Sequence, residues 1–251
     1  MVDFVGCGPG APDLITVRAR EALERAEVVV YSGSLVPEGI LAMCGGARMH
    51  DASGMVREEI TRILADGARA GLRTVRLHDG DPSIYGAVRE QVDALAAEGI
   101  ESRIVPGVTS FLAAAAALGT QLTLPGVTQT IILTRVERRT EVPERERVRS
   151  LASHGATMVF YLSVHLLETI VAESLAGGYA PTTPAAVVYR ASWDDERVVK
   201  GTLEDIARLA REAGITRTAI VIVGDAVAPS SYEFSRLYDA SFGHGYRRAR
   251  T

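Results

Sequence analysis

The sequence predicts an α/β protein of two domains, with a mostly parallel sheet in the first and a mixed sheet in the second. Three observations carry that prediction. Short apolar runs alternate with helix-periodic segments through the first half of the 251 residues, the rhythm of strands joined by crossover helices. The stretch Gly119 to Gln129, GTQLTLPGVTQ, carries no charge and a Pro-Gly turn, and it places the boundary between a domain at 1–120 and one at 121–245. In the second half the SWDDE segment is too short for a crossover, so Ala185–Tyr189 and Arg197–Lys200 are expected to pair as an antiparallel hairpin.

The elements follow in order. Val2-Asp3-Phe4-Val5 is a short strand that runs into GCGPGAP, residues 6–12. Asp13 or Thr16 can cap the helix after it, which carries Val17, Leu23 and Ala26 on roughly one face. Val28 to Tyr31 is uniformly apolar, as a strand buried on both faces should be. After the turn SGSLVPEG, Ser53 is the expected cap of a helix through Arg69, with Val56, Ile60, Ile63 and Leu64 at helical spacing. Arg73–His78 forms a strand ending in Asp79-Gly80-Asp81-Pro82, then come a helix through Glu98 and a strand Ser102–Val105. PGVTS opens the small-residue helix Phe111–Leu118. The second half reads as strand Thr130–Thr134, a charged loop and helix, strand Thr157–Leu162 and helix His165–Leu175. The hairpin pair, helix Leu203–Glu212 and strand Ala219–Val223 complete it, with a basic tail, YRRAR, within 246–251.

Composition narrows the function classes. Thirty-one acidic residues against 27 Lys plus Arg give a net charge of −4, whereas a general nucleic-acid binder carries a basic excess to displace counterions. Cys7 and Cys44 have no ligand spacing, and the five histidines (50, 78, 154, 165, 244) are scattered, so no metal site and no disulfide framework is expected. The N-terminal residues lack a basic and apolar leader pattern, and the apolar run Phe111–Leu118 is far too short to cross a bilayer. A cytoplasmic protein without membrane partners is expected.

Gly6-Cys7-Gly8-Pro9-Gly10-Ala11 satisfies the loose G-x-G-x-x-G/A dinucleotide pattern. Two features oppose that reading. Pro9 and Pro12 remove backbone N–H groups from the segment that should donate to a pyrophosphate. The second strand ends at Tyr31-Ser32 with no carboxylate to hold a ribose diol. Two further loops, DGDPSIYG (79–86) and PGVTS (106–110), also leave the C-terminal ends of predicted strands, the edge at which open α/β sheets bind ligands. None of the three has a Lys or Arg at its centre, which suits a neutral or cationic ligand better than a polyphosphate. Asp79 and Asp81 can stabilise a positive centre or bond to hydroxyls, although Asp81 before Pro82 is equally a helix cap.

VGCGPGAPDLIT, VVVYSGSLVP, HDGDPSIYG, VPGVTS with its Ala-rich helix, and the late TAIVIVG, in that order along nearly the whole chain, resemble the tetrapyrrole methyltransferases. YSGSLVP and TRVERRTEVPE resemble the branch that methylates carbon 11 of precorrin-4, giving precorrin-5, in cobalamin synthesis. Where related uroporphyrinogen enzymes read Tyr-Asp-x-Leu-Val, this chain is one residue longer and has Ser32, Gly33 and Ser34 in place of that Asp. Arg138 stands where a glycine is usual in the second motif.

The resemblance implies the tetrapyrrole methylase fold, with S-adenosylmethionine folded into a cleft between the two domains, S-adenosylhomocysteine as by-product, and a homodimer. It implies that Pro9 lines the cleft floor, that Asp79, Gly80 and Asp81 border the methionine part of the donor with Ile84 close by, and that Thr109 and Ser110 continue that wall. Leu162 stands at an apolar donor contact, and Ala191, Thr218 and Ala219 stand around the adenine.

Precorrins carry a rim of carboxylates, which suit the planar guanidinium fork. Residues 135–149 hold six Arg against four Glu. Arg135, Arg138 and Arg139 are expected to grip the substrate, with Ser32 and Ser34 also on the substrate side, while Arg145, Arg147 and Arg149 read as a solvated face. No general base is assigned. Trp193 reads as a hairpin-surface or dimer residue, and Tyr85 as either a macrocycle contact or core. Other members of the fold act on other precorrins, on RNA or on protein, and a non-catalytic adenosine-ligand sensor is the rival of a different class. The acidic charge disfavours RNA.

Overall fold

The computed structural model describes residues 1–137 and 141–250, with Ser34 described by its backbone alone. Arg138 and Arg139 therefore lie outside the described residues. The chain divides into two compact units, one comprising Met1–Ala114 with Arg190–Glu196, the other Ala115–Tyr189 with Arg197–Thr251.

The first unit is built on a fully parallel sheet of β1 (Val2–Gly6), β2 (Val28–Tyr31), β3 (Arg48–Asp51), β4 (Thr74–His78) and β5 (Ser102–Val105), in the order β3-β2-β4-β1-β5. Strand alternation assigns side chains to two faces. Val5, Val29, Val75 and Leu77 pack with Ala19 and Leu23 of α1 (Val17–Glu24) and Ile40 of α2 (Glu38–Leu41). Val2, Phe4 and Val30 pack with Ile60 and Leu64 of α3 (Arg57–Arg69) and Val88 and Leu95 of α4 (Val88–Ala97). Helices thus cover both faces, which is why β2 and β4 are buried along nearly their whole length.

Two details differ from the sequence expectation. β3 has no apolar pattern because it is an edge strand, mostly exposed and held through its parallel pairing with β2. Ser53 does not cap α3. Its amide bonds to Asp51 Oδ1 in a 3-10 turn, and α3 begins after Val56, whose amide donates to Glu59 Oε2 at 2.9 Å. Thr16 does cap α1, its Oγ1 accepting from the Ala19 amide at 3.2 Å.

α5 (Ser110–Leu118) runs across the division of the chain. The second unit carries a mixed sheet of β6 (Ile131–Thr134), β7 (Thr157–Phe160), β8 (Pro184–Tyr189), β9 (Arg197–Thr202) and β10 (Ala219–Val223), in the order β6-β7-β10-β8-β9. β6 and β7 are parallel, β10 is antiparallel to both β7 and β8, and β8–β9 is the expected antiparallel pair. Its core joins Met158, Phe160, Val187 and Val221 of the sheet to Val148 of α6 (Val148–Ala152), Ile170 of α7 (Leu167–Ala176) and Ile206 of α8 (Ile206–Glu212).

Candidate active site

In the first unit the parallel strands deliver their following loops to one edge, and the loops after β1, β4 and β5 close directly on one another. The Cys7 amide donates to the His78 carbonyl at 2.8 Å, and Gly8 and Gly80 exchange amide–carbonyl bonds at 3.2 and 2.8 Å. A Cβ on Gly6 would lie 2.6 Å from the Gly80 oxygen and 2.8 Å from the Gly107 nitrogen, so the three backbones meet at a distance only glycine permits. Asp81 completes the seam, its Oδ2 accepting from the Gly107 amide and its Oδ1 from the Ser83 amide, each at 2.8 Å. Asp81 does not cap α4, whose N-cap is Ala87 in the left-handed region. The Asp81 carboxylate is instead an internal tie between two loops.

Pro9, Ile84, Thr109 and Ser110 stand half-buried around this seam, Gly80 is buried within it and Asp79 is exposed beside it. Tyr85 is 46% exposed and holds φ +55°, so it is not a core residue. Non-glycine residues at positive φ persist where surrounding structure imposes them, often at ligand sites.

The electrostatics centre on β4. Arg76 is buried in mid-strand, and its guanidinium donates to Gln91 Oε1, to the Val30 and Leu77 carbonyls and to Ser32 Oγ at 3.2–3.3 Å. Burial lowers its pKa to about 10, with Asp79 opposing. Burial, then Arg76, lowers His78 to about 3, with Asp81 opposing, so its imidazole is neutral at physiological pH. The Asp79 carboxyl is raised by the density of surrounding protein, against its own backbone N–H and Arg76. A carboxyl that is both solvent-accessible and densely surrounded is recessed. Sequence reasoning missed Arg76; its one signal was an arginine between the apolar Val75 and Leu77 of an expected strand.

Ala191, also in the first unit, is buried between Arg190 at φ +45° and Ser192 at φ +71°. Trp193 is not a bare hairpin surface. It is half-buried, and its Nε1–H donates to the Pro9 carbonyl at 2.9 Å, a contact that apolar patterning does not reveal.

In the second unit the remaining expected residues collect at one end of the sheet. Arg135 follows β6 and Leu162 follows the parallel β7, while Thr218 and Ala219 open the antiparallel β10 beside them. Leu162 is 66% exposed at φ +54° and Thr218 holds φ +51°. Arg135 Nη2 donates to the Glu141 carbonyl at 3.2 Å. Arg145, Arg147 and Arg149 are exposed, and Arg147 pairs with Glu137 at 3.4 Å.

Residues 1–207 match the family model for Tetrapyrrole (Corrin/Porphyrin) Methylases. The chain belongs to this family. It is 48% identical over 249 residues to a cobalt-precorrin-4 C(11)-methyltransferase of Methanocaldococcus jannaschii, covering 99% of this chain and 96% of that one. It is 49% identical over 242 residues to a precorrin-4 C(11)-methyltransferase of Rhodococcus erythropolis, covering 96% and 97%. The X-ray structure of a cobalamin biosynthetic enzyme, cobalt precorrin-4 methyltransferase, superposes with a TM-score of 0.88 at 43% identity, covering 91% of this chain and 96% of that one.

The tetrapyrrole methylase loops of this chain fit a compact cationic donor. Segments 6–12, 79–86 and 106–110 contain no Lys or Arg, and they offer a recessed carboxyl at Asp79 beside glycine backbone. A polyphosphate would meet that carboxylate unfavourably. Among the described residues no group of His, Cys, Asp and Glu could hold a metal ion. No helix among them is long and apolar enough to cross a membrane.

Proposed function

We propose that this chain is an S-adenosylmethionine-dependent C-methyltransferase that methylates carbon 11 of precorrin-4, giving precorrin-5, in cobalamin biosynthesis. The observation that supports this most is the three-loop glycine seam of the first unit, in a chain nearly half identical to relatives named for that reaction. When bound, S-adenosylmethionine supplies an electrophilic methyl group on a sulfonium, so the protein's task is orientation and exclusion of water. Asp79, Gly80 and Asp81, with Ile84, hold the methionine part of the donor. Pro9, Thr109 and Ser110 form the adjoining wall. Leu162 supplies an apolar contact, and Ala191, Thr218 and Ala219 leave room for the adenine.

Arg135, Arg138 and Arg139 pair with the acetate and propionate carboxylates of the substrate, and Ser32 and Ser34 donate hydrogen bonds to it. Ser32 Oγ already accepts from the Arg76 guanidinium, which makes that hydroxyl a donor and a poor base. No residue is assigned as general base. The domains at 1–120 and 121–245, the basic tail 246–251, a homodimer in the cytoplasm and the absence of a nucleic-acid partner complete the reading.

Incubation with methyl-labelled donor and either precorrin-4 or cobalt-precorrin-4 tests it. Label at carbon 11, located by NMR and mass spectrometry, is the expected result. Label at another ring carbon, or only in RNA or protein supplied as acceptor, overturns it. Because relatives carry both substrate names, the faster of the two acceptors also settles whether cobalt is present.

A further inference from the structure

We propose that Trp193 is a positioning residue for the donor, acting through the first glycine loop. This rests on the reading that residues 6–12 border S-adenosylmethionine. That loop, Gly8-Pro9-Gly10-Ala11, has little internal hydrogen bonding to define its shape, since Pro9 and Pro12 donate none. Gly8 is fixed by its bridge to Gly80. The other side is fixed by the 190–196 turn, whose Trp193 Nε1–H donates to the Pro9 carbonyl at 2.9 Å and whose Ser192 Oγ accepts from the Ala11 amide at 3.0 Å.

Between those two bonds lies Gly10, where any Cβ would overlap the indole ring. The contact is therefore shaped on both partners: a glycine in the loop and an aromatic residue laid against it. The turn is itself held rigid. Ser192 N–H donates to Glu196 Oε2 at 2.6 Å, and the Arg190 guanidinium lies 4.7 Å from the Trp193 ring centroid while pairing with Asp195 at 2.8 Å. These ties sustain the left-handed backbone of Arg190 and Ser192 on either side of Ala191. The 190–196 turn thus holds the Pro9 loop through Trp193 and Ser192 while its own backbone frames Ala191.

The test compares wild-type with Trp193→Phe, which keeps an aromatic ring and loses the N–H, and with Ser192→Ala, which removes only the acceptor for the Ala11 amide. Calorimetric affinity for S-adenosylhomocysteine, donor KM, tetrapyrrole KM, kcat and melting temperature are read for each. Trp193→Phe is expected to weaken S-adenosylhomocysteine binding and raise donor KM about fivefold to tenfold, the loss of one net hydrogen bond. Tetrapyrrole KM should stay near wild-type and melting temperature should fall by no more than about 2–4 °C, the scale of one internal hydrogen bond in a chain of this size, with Ser192→Ala showing a smaller effect of the same kind. Unchanged donor affinity in both variants overturns the proposal, as does parallel loss of donor and tetrapyrrole affinity with a lowered melting temperature. Wild-type protein that does not bind S-adenosylhomocysteine overturns the donor reading itself, a result distinct from either of those.

Discussion

Asp81 and Gly107 are joined by a hydrogen bond of 2.8 Å from the Gly107 amide to the Asp81 Oδ2, tying the loop after β4 to the loop after β5. The same carboxylate holds its own loop through Ser83, so each oxygen has one amide to satisfy. An amide side chain has only one oxygen, and Asp81→Asn must leave one N–H unpaired. The expected loss is about 2 kcal/mol of stability, the scale of a hydrogen bond to a charged group, read by urea unfolding. Affinity for S-adenosylhomocysteine should fall with it. Unfolding midpoint and affinity both equal to wild-type would show that the two loops are held elsewhere.

Gly107 itself cannot carry a side chain. A Cβ there would overlap the Gly80 carbonyl oxygen and lie 2.9 Å from the Gly6 carbonyl carbon and oxygen, all backbone atoms of the central strands' ends. Overpacking against side chains costs about 1–3 kcal/mol, and backbone has less freedom to yield. Gly107→Ala is expected to exceed about 3 kcal/mol or to prevent accumulation of soluble protein. Gly46→Ala is the control, since a Cβ there meets nothing within 4 Å at an ordinary backbone angle, and it should stay within about 0.5 kcal/mol of wild-type.

These loops were legible in the sequence because glycine, proline and aspartate punctuate the ends of apolar strands, and strand alternation sends them to one sheet edge. The parallel and mixed sheets followed from the same rhythm. β3 was not legible, since its residues Arg48–Asp51 form a strand only through an edge pairing with β2. Arg76 was missed because its acceptors come from β2, β4, α4 and Ser32 together. Trp193 was out of reach for a different reason: Pro9 is 184 positions away, and nothing local in SWDDE signals a partner so remote.

Both thiols should be silent in the native protein. Cys7 and Cys44 are buried, and burial pushes their pKa values up to about 12 and about 11, with Asp79 adding to the effect at Cys7. Only the thiolate reacts. At pH 8 a disulfide exchange reagent is expected to label neither cysteine in folded protein and both in urea. Because the native values lie above the unfolded one, stability is lost as pH rises past about 9, where the unfolded thiols ionise first. Rapid labelling of either cysteine at pH 8 without denaturant would contradict the burial.

His78 makes the protein sensitive to mild acid. Its Nε2 is buried without a hydrogen-bond partner among the described residues, its ring stacks on Phe4, and its pKa sits near 3 against 6.5 for a free imidazole. Below pH 6.5 the unfolded chain binds a proton that the native state refuses, so stability falls as pH falls from about 6.5 towards 3. The slope is about 1.4 kcal/mol per pH unit, or about 2 kcal/mol lost by pH 5. The charged groups acting on the ring are Arg76, which reinforces the effect, and Asp81, which opposes it. Asp79 works in the other direction, since its raised carboxyl pKa makes acid stabilising, while the exposed carboxylates Asp51 and Glu58 are held below their ordinary values, so acid weakens the native state through them as well. Comparing urea unfolding at pH 7 and pH 5 for wild-type and His78→Gln cancels those other groups. The variant should lose less stability between the two pH values, by about 2 kcal/mol, whatever its stability at pH 7. Parallel losses in the two proteins would place the acid sensitivity outside β4.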